Sequence, residues 1–253
     1  KVPVLIIPVQ RDELFPALER GLGDIAAANL TVTKSRQETV DFSKPFMTGV
    51  SELVVTGPAV EAPRSLDDLA GREVHVRRSS SYWRSLEKLN NDFRARGLKP
   101  VEVVPAEEFL QDEDLLEMVN AGLLPAIVVD SHKARFWAGI FDNIRVHEDL
   151  AVRTGGEIAW AFRKDSPQLA EAVNAYAQQH KQGTLIGNVV LNRYFKDTKW
   201  ARNALAGEDH ARFERTIGIF RKYGDLYGFD PLMLAALAYQ ESRLDQSVRS
   251  RAG

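Results

Sequence analysis

Two distant stretches of this chain share one pattern: a glycine, a short apolar run, and a polar residue at the end. Residues 23–31 begin with Gly-Asp and end with Leu-Thr, and residues 122–130 begin with Gly-Leu and end with Val-Asp. A short apolar run of this kind, bounded by turn residues, is typical of a strand buried in a sheet. Because each run follows a segment with helix signals, the repetition predicts two α/β lobes of similar design.

The first lobe opens with strand and helix signals in alternation. Residues 4–9 form a short apolar run that is suited to a buried parallel strand. Asp12 is placed to cap a helix that extends to Glu19 and ends near Gly21. Residues 24–30 then show the pattern of a second buried strand. Together these signals predict one right-handed βαβ unit.

The second lobe shows the same alternation. The Ser-Leu-Asp-Asp stretch at residues 65–68 resembles a capping box before a short helix that Gly71 closes. Further strands of this lobe are predicted at residues 73–76, 101–104 and 126–129, and further helices at residues 82–96 and 112–121. After it the sequence predicts a return strand at residues 155–162 and a helix at 167–181.

Composition narrows the function classes. Of the 253 residues 44% are hydrophobic and 27% charged, and the formal net charge is −2, so we expect a globular protein without a nucleic-acid partner. No apolar run approaches the roughly 20 residues that a membrane-spanning helix needs. The chain has no cysteine, which excludes disulfides, thiolate metal sites and cysteine nucleophiles. Its five histidines lack metal-ligand spacing, so we expect no metal and no cofactor.

The residue pattern changes after residue 196, where the alternation typical of strands ends. The remaining segments with clear periodicity read as helices, at residues 213–223 and 231–244. We therefore expect a front module at residues 1–196, a linker at 197–209 and a helical module at 210–253. Within the front module we expect the first lobe at about residues 1–60 and 150–196, and the second at about 61–149.

A motif of specific order follows the first glycine of the repeat. Residues 23–36 read Gly-Asp-Ile-Ala-Ala-Ala-Asn-Leu-Thr-Val-Thr-Lys-Ser-Arg, and residues 40–46 read Val-Asp-Phe-Ser-Lys-Pro-Phe. This order resembles the periplasmic amino-acid-binding proteins, the type-3 extracellular solute-binding family. The resemblance implies a two-lobed, periplasmic-binding-protein-like α/β module with a pocket between the lobes. It also implies that a first strand and helix of this fold are missing before Lys1.

The first-lobe part of this motif suits a ligand carboxylate. Arg36 offers a planar fork that can bind a carboxylate through two hydrogen bonds. Thr31 stands at a strand end, where backbone N–H groups are free of strand pairing. A lone arginine after a strand is more often a solvated surface charge. The ordered motif around it is what favours a binding role.

The second lobe offers an anion site and a cation site. Ser80 and Ser81 precede a predicted helix, whose N-terminus favours an anion. Asp130 ends a predicted strand, where it can pair with an ammonium group or simply cap the following helix. The family resemblance implies that Arg36 and Ser81 hold an α-carboxylate. It also implies that Asp130 and the carbonyl of Asn29 hold an α-amine.

The helical module carries a glutamate on an apolar helix. The helix at residues 231–244 follows an Asp-Pro start and is apolar nearly all round, so we expect it to be buried. Leu234, Leu237 and Ala238 lie on the face that carries Glu241. A carboxyl in such surroundings is expected to have a raised pKa, which suits a general acid near neutral pH. The alternative is that Glu241 only marks the solvent-facing rim.

The residues around this glutamate carry a second resemblance. Ala-Tyr-Gln-Glu-Ser-Arg-Leu-Asp at residues 238–245, with Ser-Arg-Ala-Gly at 250–253, resembles the lytic transglycosylases of goose-type lysozyme fold. The resemblance implies that Glu241 is the single catalytic acid and base, that Ser250 supports it, and that the chain holds only the truncated start of this all-α module. The family usually has an aromatic residue at the position of Leu244.

The order of the two modules is similar to that of the membrane-bound lytic murein transglycosylase F family. This resemblance implies a lyase that cleaves the β-1,4 bond between N-acetylmuramic acid and N-acetylglucosamine of peptidoglycan and forms a 1,6-anhydromuramyl product. It implies regulation by a cell-wall peptide or amino acid bound to the front module. It further implies a Gram-negative periplasm and peripheral outer-membrane association through parts outside this chain. A transporter's amino-acid receptor and a goose-lysozyme-like hydrolase remain as alternatives.

Overall fold

The structure is a computed structural model that describes residues 4–199, 201, 207–229, 231–242 and 244. The chain divides into two compact units, Lys1–Lys196 and Asp197–Gly253. In the described part of the chain, no helix has the length and apolar character required to cross a membrane.

The first unit is built on a seven-stranded mixed sheet. In spatial order its strands are β1 (Ile25–Thr31), β7 (Arg145–Arg163), β3 (Met47–Thr56), β6 (Ala126–Asp130), β4 (Glu73–Arg77) and β5 (Glu102–Ala106), and β2 (Val40–Phe42) pairs with β7. Strand β4 runs parallel to β5 and β6, whereas β3 and β7 pair antiparallel with their neighbours.

Seven helices belong to the same unit in the described residues. They are α1 (Leu14–Glu19), α2 (Lys34–Gln37), α3 (Ser81–Ala95), α4 (Asp112–Asn120), α5 (Ser131–Ala138), α6 (Pro167–His180) and α7 (Leu185–Phe195), and a 3-10 turn spans Leu66–Leu69. The predicted capping box is present at this turn, where the Asp68 carboxylate accepts a hydrogen bond from the backbone N–H of Ser65 at 3.1 Å.

Two separate hydrophobic cores define two lobes. The larger core contains Leu86, Phe93 and Leu116 from helices α3 and α4, packed against the sheet. The smaller core joins α1, β1 and the C-terminal end of β7. Strand β7 contributes Leu150 to the larger core and Ala161 to the smaller, so it passes from one lobe to the other. The expected two-lobed α/β fold is confirmed.

The predicted strand at residues 4–9 is wrong, and with it the predicted βαβ unit. This segment has no regular structure, and Val4, Leu5 and Ile6 are each more than 80% exposed. Strand β1 instead pairs antiparallel with β7. A strand needs a partner for its backbone N–H and C=O groups, and no strand in the described residues pairs with this segment.

The strands that link the two lobes are more extensive than the sequence predicts. Strand β3 was not predicted, and β7 is far longer than the return strand expected at residues 155–162. Strand β3 has irregular register with β7 and is apolar mainly over its second half. Irregular strands that cross between two cores lack the clean alternation by which a strand is recognised in a sequence.

The second unit, so far as it is described, consists of helices α8 (Gly207–Tyr227) and α9 (Pro231–Ser242), which pack against each other. The expectation that α9 is buried is wrong for these residues. Ala235 is buried, but Met233 and Leu237 are each about half exposed. One neighbouring helix covers only one side of a helix that is apolar nearly all round.

Candidate functional site

The six residues predicted to bind a ligand lie together along one cleft of the first unit. The cleft has a volume of about 390 Å³, part of it open to solvent. It is lined by all six of them, Asn29, Thr31, Arg36, Ser80, Ser81 and Asp130, together with Arg11, Phe15, Arg77, Tyr82, Asp112 and Lys133 among others. Strand β1 and helix α2 supply one wall, and the ends of β4 and β6 with helices α3, α4 and α5 supply the other.

Asp130 is a buried carboxylate without a hydrogen-bond partner. It ends strand β6 at the start of α5, is 1% exposed, and neither of its carboxylate oxygens accepts a hydrogen bond from any described residue. Burial raises the pKa of this carboxyl to about 6 against the opposing charge of Lys133, and the nearby Asp112 and Glu52 carboxylates act in the same direction as burial. An ionised carboxylate held this way is ready for a cationic partner.

The side chains near Asp130 that can donate hydrogen bonds donate to Asp112 instead, which is the first residue of α4. Asp112 accepts hydrogen bonds from Arg77, Lys133 and the hydroxyl of Tyr82, the last at 3.2 Å. The Tyr82 hydroxyl has one proton, so it cannot also donate to Asp130 and instead accepts from the Asp130 backbone N–H at 3.2 Å. Although burial acts to raise it, the charges of Lys133 and Arg77 hold the pKa of Asp112 below its usual range.

Arg36 reaches from the first lobe to the second. Its Nη1 donates to the carbonyl of Thr31 at 2.8 Å, and its Nη2 donates to the carbonyl of Ser79 at 3.0 Å. Its guanidinium carbon lies 5.3 Å from the ring centre of Phe15. Burial lowers the pKa of Arg36 from its usual value. Both acceptors are neutral carbonyls, so a ligand carboxylate could replace them with a charge-assisted pair.

The three serines before and at the start of α3 have partners within the protein. Ser80 caps the helix by accepting from the backbone N–H of Trp83 at 3.3 Å, and the Ser81 hydroxyl donates to Glu52 at 2.7 Å. Ser79 donates its N–H and its hydroxyl to the Glu108 carboxylate. Any anion at this end of the cleft would therefore be bound through the backbone of the helix start.

Asn29 sits at an irregularity in strand β1. Its φ of 55° falls in the left-handed region, and the register of β1 with β7 shifts between Ala26 and Leu30. Its side-chain amide donates to His132 Nε2 at 3.2 Å. Burial lowers the pKa of His132 to about 3, so its ring is neutral at physiological pH and can accept this bond. The bulge thus turns Asn29 towards the second lobe.

Sequence reasoning missed the charged groups that complete the cleft. Arg11 donates to Gln111 at 2.9 Å and to the carbonyl of Ala28 at 3.0 Å, and so joins two parts of the chain far apart in sequence. Arg77 and Lys133 are buried beside Asp112. A charged residue at the end of an apolar strand was a usable signal for Arg77. Nothing local identifies the partner of Arg11.

The two residues predicted to be catalytic lie in the second unit or beyond the described residues. Glu241 is in the last turn of α9 and is exposed, and on its face Leu234 and Ala238 are half-buried. The apolar enclosure expected around Glu241 is therefore not supplied by the described residues. Ser250 lies outside the described residues.

A family model matches most of the chain. Bacterial extracellular solute-binding proteins, family 3, match residues 1–197. The similar solved structures include the substrate-binding protein of an amino-acid ABC transporter (TM-score 0.63, 20% identity, covering 76% of this chain and 80% of that chain). An ancestral arginine-binding protein is similar both in its arginine-bound form (TM-score 0.61, 22% identity, 75% and 79% covered) and in its glutamine-bound form (0.59, 24%, 76% and 79%).

Curated relatives extend the similarity beyond this module. A protein of Desulfosudis oleivorans named membrane-bound lytic murein transglycosylase F is 30% identical over 248 residues, which cover 96% of this chain and 52% of the relative. Proteins of the same name from Methylobacillus flagellatus (27% identity, 92% and 49% covered) and Stutzerimonas stutzeri (30%, 96% and 49%) are also similar. The chain spans about half the length of the curated relatives it matches.

Proposed function

Because this chain belongs to family 3 of the bacterial extracellular solute-binding proteins, we propose that its first unit binds the amino-acid end of a small ligand in the cleft. The observation that carries this proposal is the Asp130 carboxylate, which is buried, unpartnered and faces the same cleft as Arg36. An ionised carboxylate without a partner is costly to bury, so a site of this kind favours a cationic ligand group.

The proposed binding mode is that of a zwitterion. The ligand ammonium pairs with Asp130, and the ligand carboxylate pairs with Arg36 in place of the carbonyls of Thr31 and Ser79. The backbone N–H groups at the start of α3 add donors to the same carboxylate. The ligand carboxylate then replaces two neutral carbonyls at Arg36 with an ionic contact, and the ligand ammonium gives the Asp130 carboxylate an ionic partner.

Removal of the Arg36 fork tests this mode. We expect Arg36→Ala to weaken binding of the tightest-binding amino acid by about tenfold to a hundredfold, the loss of one charge-assisted pair. Isothermal titration calorimetry on the purified protein measures the change. Arg94→Ala is the matched control, because Arg94 is exposed on α3 and its side chain donates a hydrogen bond to Asn91 of the same helix. Equal affinity of the Arg36 variant and the wild type would remove Arg36 from the site.

A second candidate function is the activity for which the curated relatives are named. The alignments with relatives named lytic murein transglycosylase F cover up to 96% of this chain, and so include residues beyond the solute-binding match at 1–197. We propose that Glu241 is the catalytic acid and base of a lytic transglycosylase and that Ser250 supports it. Residues 210–253 then form the start of its lysozyme-like module, with residues 197–209 as linker.

The proposed reaction consumes no water. Glu241 gives its proton to the glycosidic oxygen between N-acetylmuramic acid and N-acetylglucosamine, and the bond from that oxygen to the muramyl C1 breaks. The carboxylate then takes the proton of the muramyl C6 hydroxyl, whose oxygen bonds to C1 and closes the 1,6-anhydro ring. The side chain is thus returned to its protonated form, and a single carboxyl suffices where a two-carboxylate hydrolase needs a pair.

We further propose that the front module regulates this cleavage. Family 3 proteins are extracellular by description and the relatives are named membrane-bound, which fits the periplasm. Closure of the two lobes on a cell-wall peptide or amino acid would shift the population of conformations seen by the segment after residue 196. Peripheral association with the outer membrane belongs to the same proposal.

Product analysis separates the candidate functions. The full-length protein is incubated with purified peptidoglycan, and the soluble muropeptides are measured by mass spectrometry. We expect 1,6-anhydromuramyl ends. Reducing ends would identify a goose-lysozyme-like hydrolase instead, and amino-acid binding without any product would identify a receptor.

A further inference from the structure

The cleft holds more positive than negative side chains, and the excess can be assigned to particular residues. Its described lining includes four cations and two anions: Arg11, Arg36, Arg77, Lys133, Asp112 and Asp130. Asp112 is paired with Arg77 and Lys133, so these three form one ion-paired cluster that itself keeps one of the excess positive charges. What remains open to a ligand is one carboxylate, Asp130, and two guanidiniums, Arg11 and Arg36.

Arg11 resembles Arg36 in having only neutral acceptors. Its Nε donates to the side-chain oxygen of Gln111 and its Nη1 to the carbonyl of Ala28, one from each lobe. Neither Arg11 nor Arg36 forms a salt bridge with a carboxylate of the described residues. A guanidinium held against neutral oxygens in a partly buried cleft keeps its affinity for an anion.

The other carboxylates near the cleft form no hydrogen bond with Arg11 or Arg36 among the described residues. Glu52 lies behind the lining, where it accepts from Ser81 and pairs with Arg153 at 3.4 Å. Glu108 accepts two hydrogen bonds from Ser79 at the rim and is absent from the lining. Neither one reaches Arg11 or Arg36 with a hydrogen bond in the described contacts.

We infer that the ligand carries one ammonium group and two carboxylates, and that Arg11 binds the second carboxylate. This inference rests on the proposed function, because it assigns Asp130 to the ammonium and Arg36 to the first carboxylate. Arg11 then becomes the residue that sets specificity. A ligand with a cationic side chain is disfavoured for two reasons. The ligand ammonium already occupies Asp130, the one carboxylate of the described lining without an ion pair, and Arg11 repels a second positive charge.

Calorimetry with an isosteric pair of ligands tests the inference. The purified protein is titrated with L-glutamate, L-glutamine and L-arginine at neutral pH. We expect glutamate to bind at least tenfold more tightly than glutamine, and arginine to bind more weakly than both. In Arg11→Gln the ratio of glutamate to glutamine affinity should fall to about one. Arg20→Gln is the control, because Arg20 is exposed and pairs with Glu13 on the surface.

The same titrations tell two failures apart. Glutamine or arginine binding as tightly as glutamate, or a glutamate preference that survives in Arg11→Gln, overturns the inference but leaves amino-acid binding in place. Binding of none of the ligands overturns the proposed function with it.

A further titration separates two sources of the same chemistry. A peptidoglycan tripeptide that ends in diaminopimelate presents one free ammonium and two carboxylates at its end, as free glutamate does. Tighter binding of the tripeptide identifies a cell-wall peptide as the source, and tighter binding of glutamate identifies the free amino acid. If both bind more weakly than glutamine, the inferred ligand class is wrong.

Discussion

Asp130→Asn is expected to lose amino-acid binding and, at the same time, to stabilise the ligand-free protein. The substitution keeps the size of the side chain and removes its charge. A buried ion pair that loses one partner typically costs a few kcal/mol, so we expect affinity to fall by at least about a hundredfold. Calorimetry with the tightest ligand of the wild type measures this loss.

The gain in stability follows from the pKa of Asp130. Its value of about 6 in the folded protein lies above the 3.8 of an unperturbed aspartate, because burial penalises the charged form. Ionisation of the carboxyl therefore costs little folding free energy below about pH 3.8, and this cost grows as the pH rises from there through about 6. An asparagine avoids it but buries an amide in its place, so we expect a net gain of about 1–2 kcal/mol at neutral pH.

Thermal unfolding without ligand measures this gain. At neutral pH the melting temperature of Asp130→Asn should exceed that of the wild type by about 3–6 °C, and this gain should be lost or reversed at about pH 4, where most of the ionisation cost is gone while the cost of the buried amide remains. Asp41→Asn is the matched control, since Asp41 is an exposed strand aspartate in β2. An Asn variant that binds like the wild type, or one that melts lower at neutral pH, would contradict the role given to Asp130.

Glu241→Gln in the full-length protein is expected to abolish peptidoglycan cleavage. The amide cannot donate a proton to the glycosidic oxygen or take one from the muramyl hydroxyl, so we expect a loss of at least about a thousandfold. Release of anhydromuropeptides from purified sacculi, measured by mass spectrometry, gives the rate. Retained cleavage in the variant would defeat the assignment.

Folding is expected to survive this substitution. Glu241 is exposed in the last turn of α9, and exposed substitutions usually change stability by less than about 0.5 kcal/mol. Circular dichroism and a melting curve close to those of the wild type would therefore accompany the loss of cleavage. Glu171→Gln, at an exposed position of α6, is the control that should cleave normally. A variant that unfolds would point to a structural role for Glu241 instead.

Local signals were sufficient for most of the second lobe. About ten residues of sequence are enough to predict each of three elements there, because caps and periodicity act over that range. These elements are the turn with the capping box at residues 65–68, the helix that starts at Asp112, and strand β6. The motif with Thr31 at the end of β1 and Arg36 after it also predicted two residues that line the same cleft. Such features depend on neighbours along the chain.

Elements that depend on a distant partner were missed or wrong. Among the described residues, no strand lies beside residues 4–9 despite their strand composition, and α9 packs mainly against α8 although it is apolar nearly all round. The long crossing strand β7 takes its length from pairing with β1, β2 and β3. A periodic pattern states which face can be buried, whereas a partner elsewhere in the chain decides whether it is.

The sequence by itself determined that this chain folds as two α/β lobes, and it pointed to six of the residues that line the cleft between them. Only the tertiary structure decided which of the charged side chains form ion pairs with each other within the protein. Asp112 forms ion pairs with Arg77 and Lys133, whereas the Asp130 carboxylate accepts no hydrogen bond from the described residues. Arg11 donates to Gln111, which lies 100 positions away in the sequence. The physical reason is that electrostatic pairing depends on distance and burial, which a linear pattern does not contain.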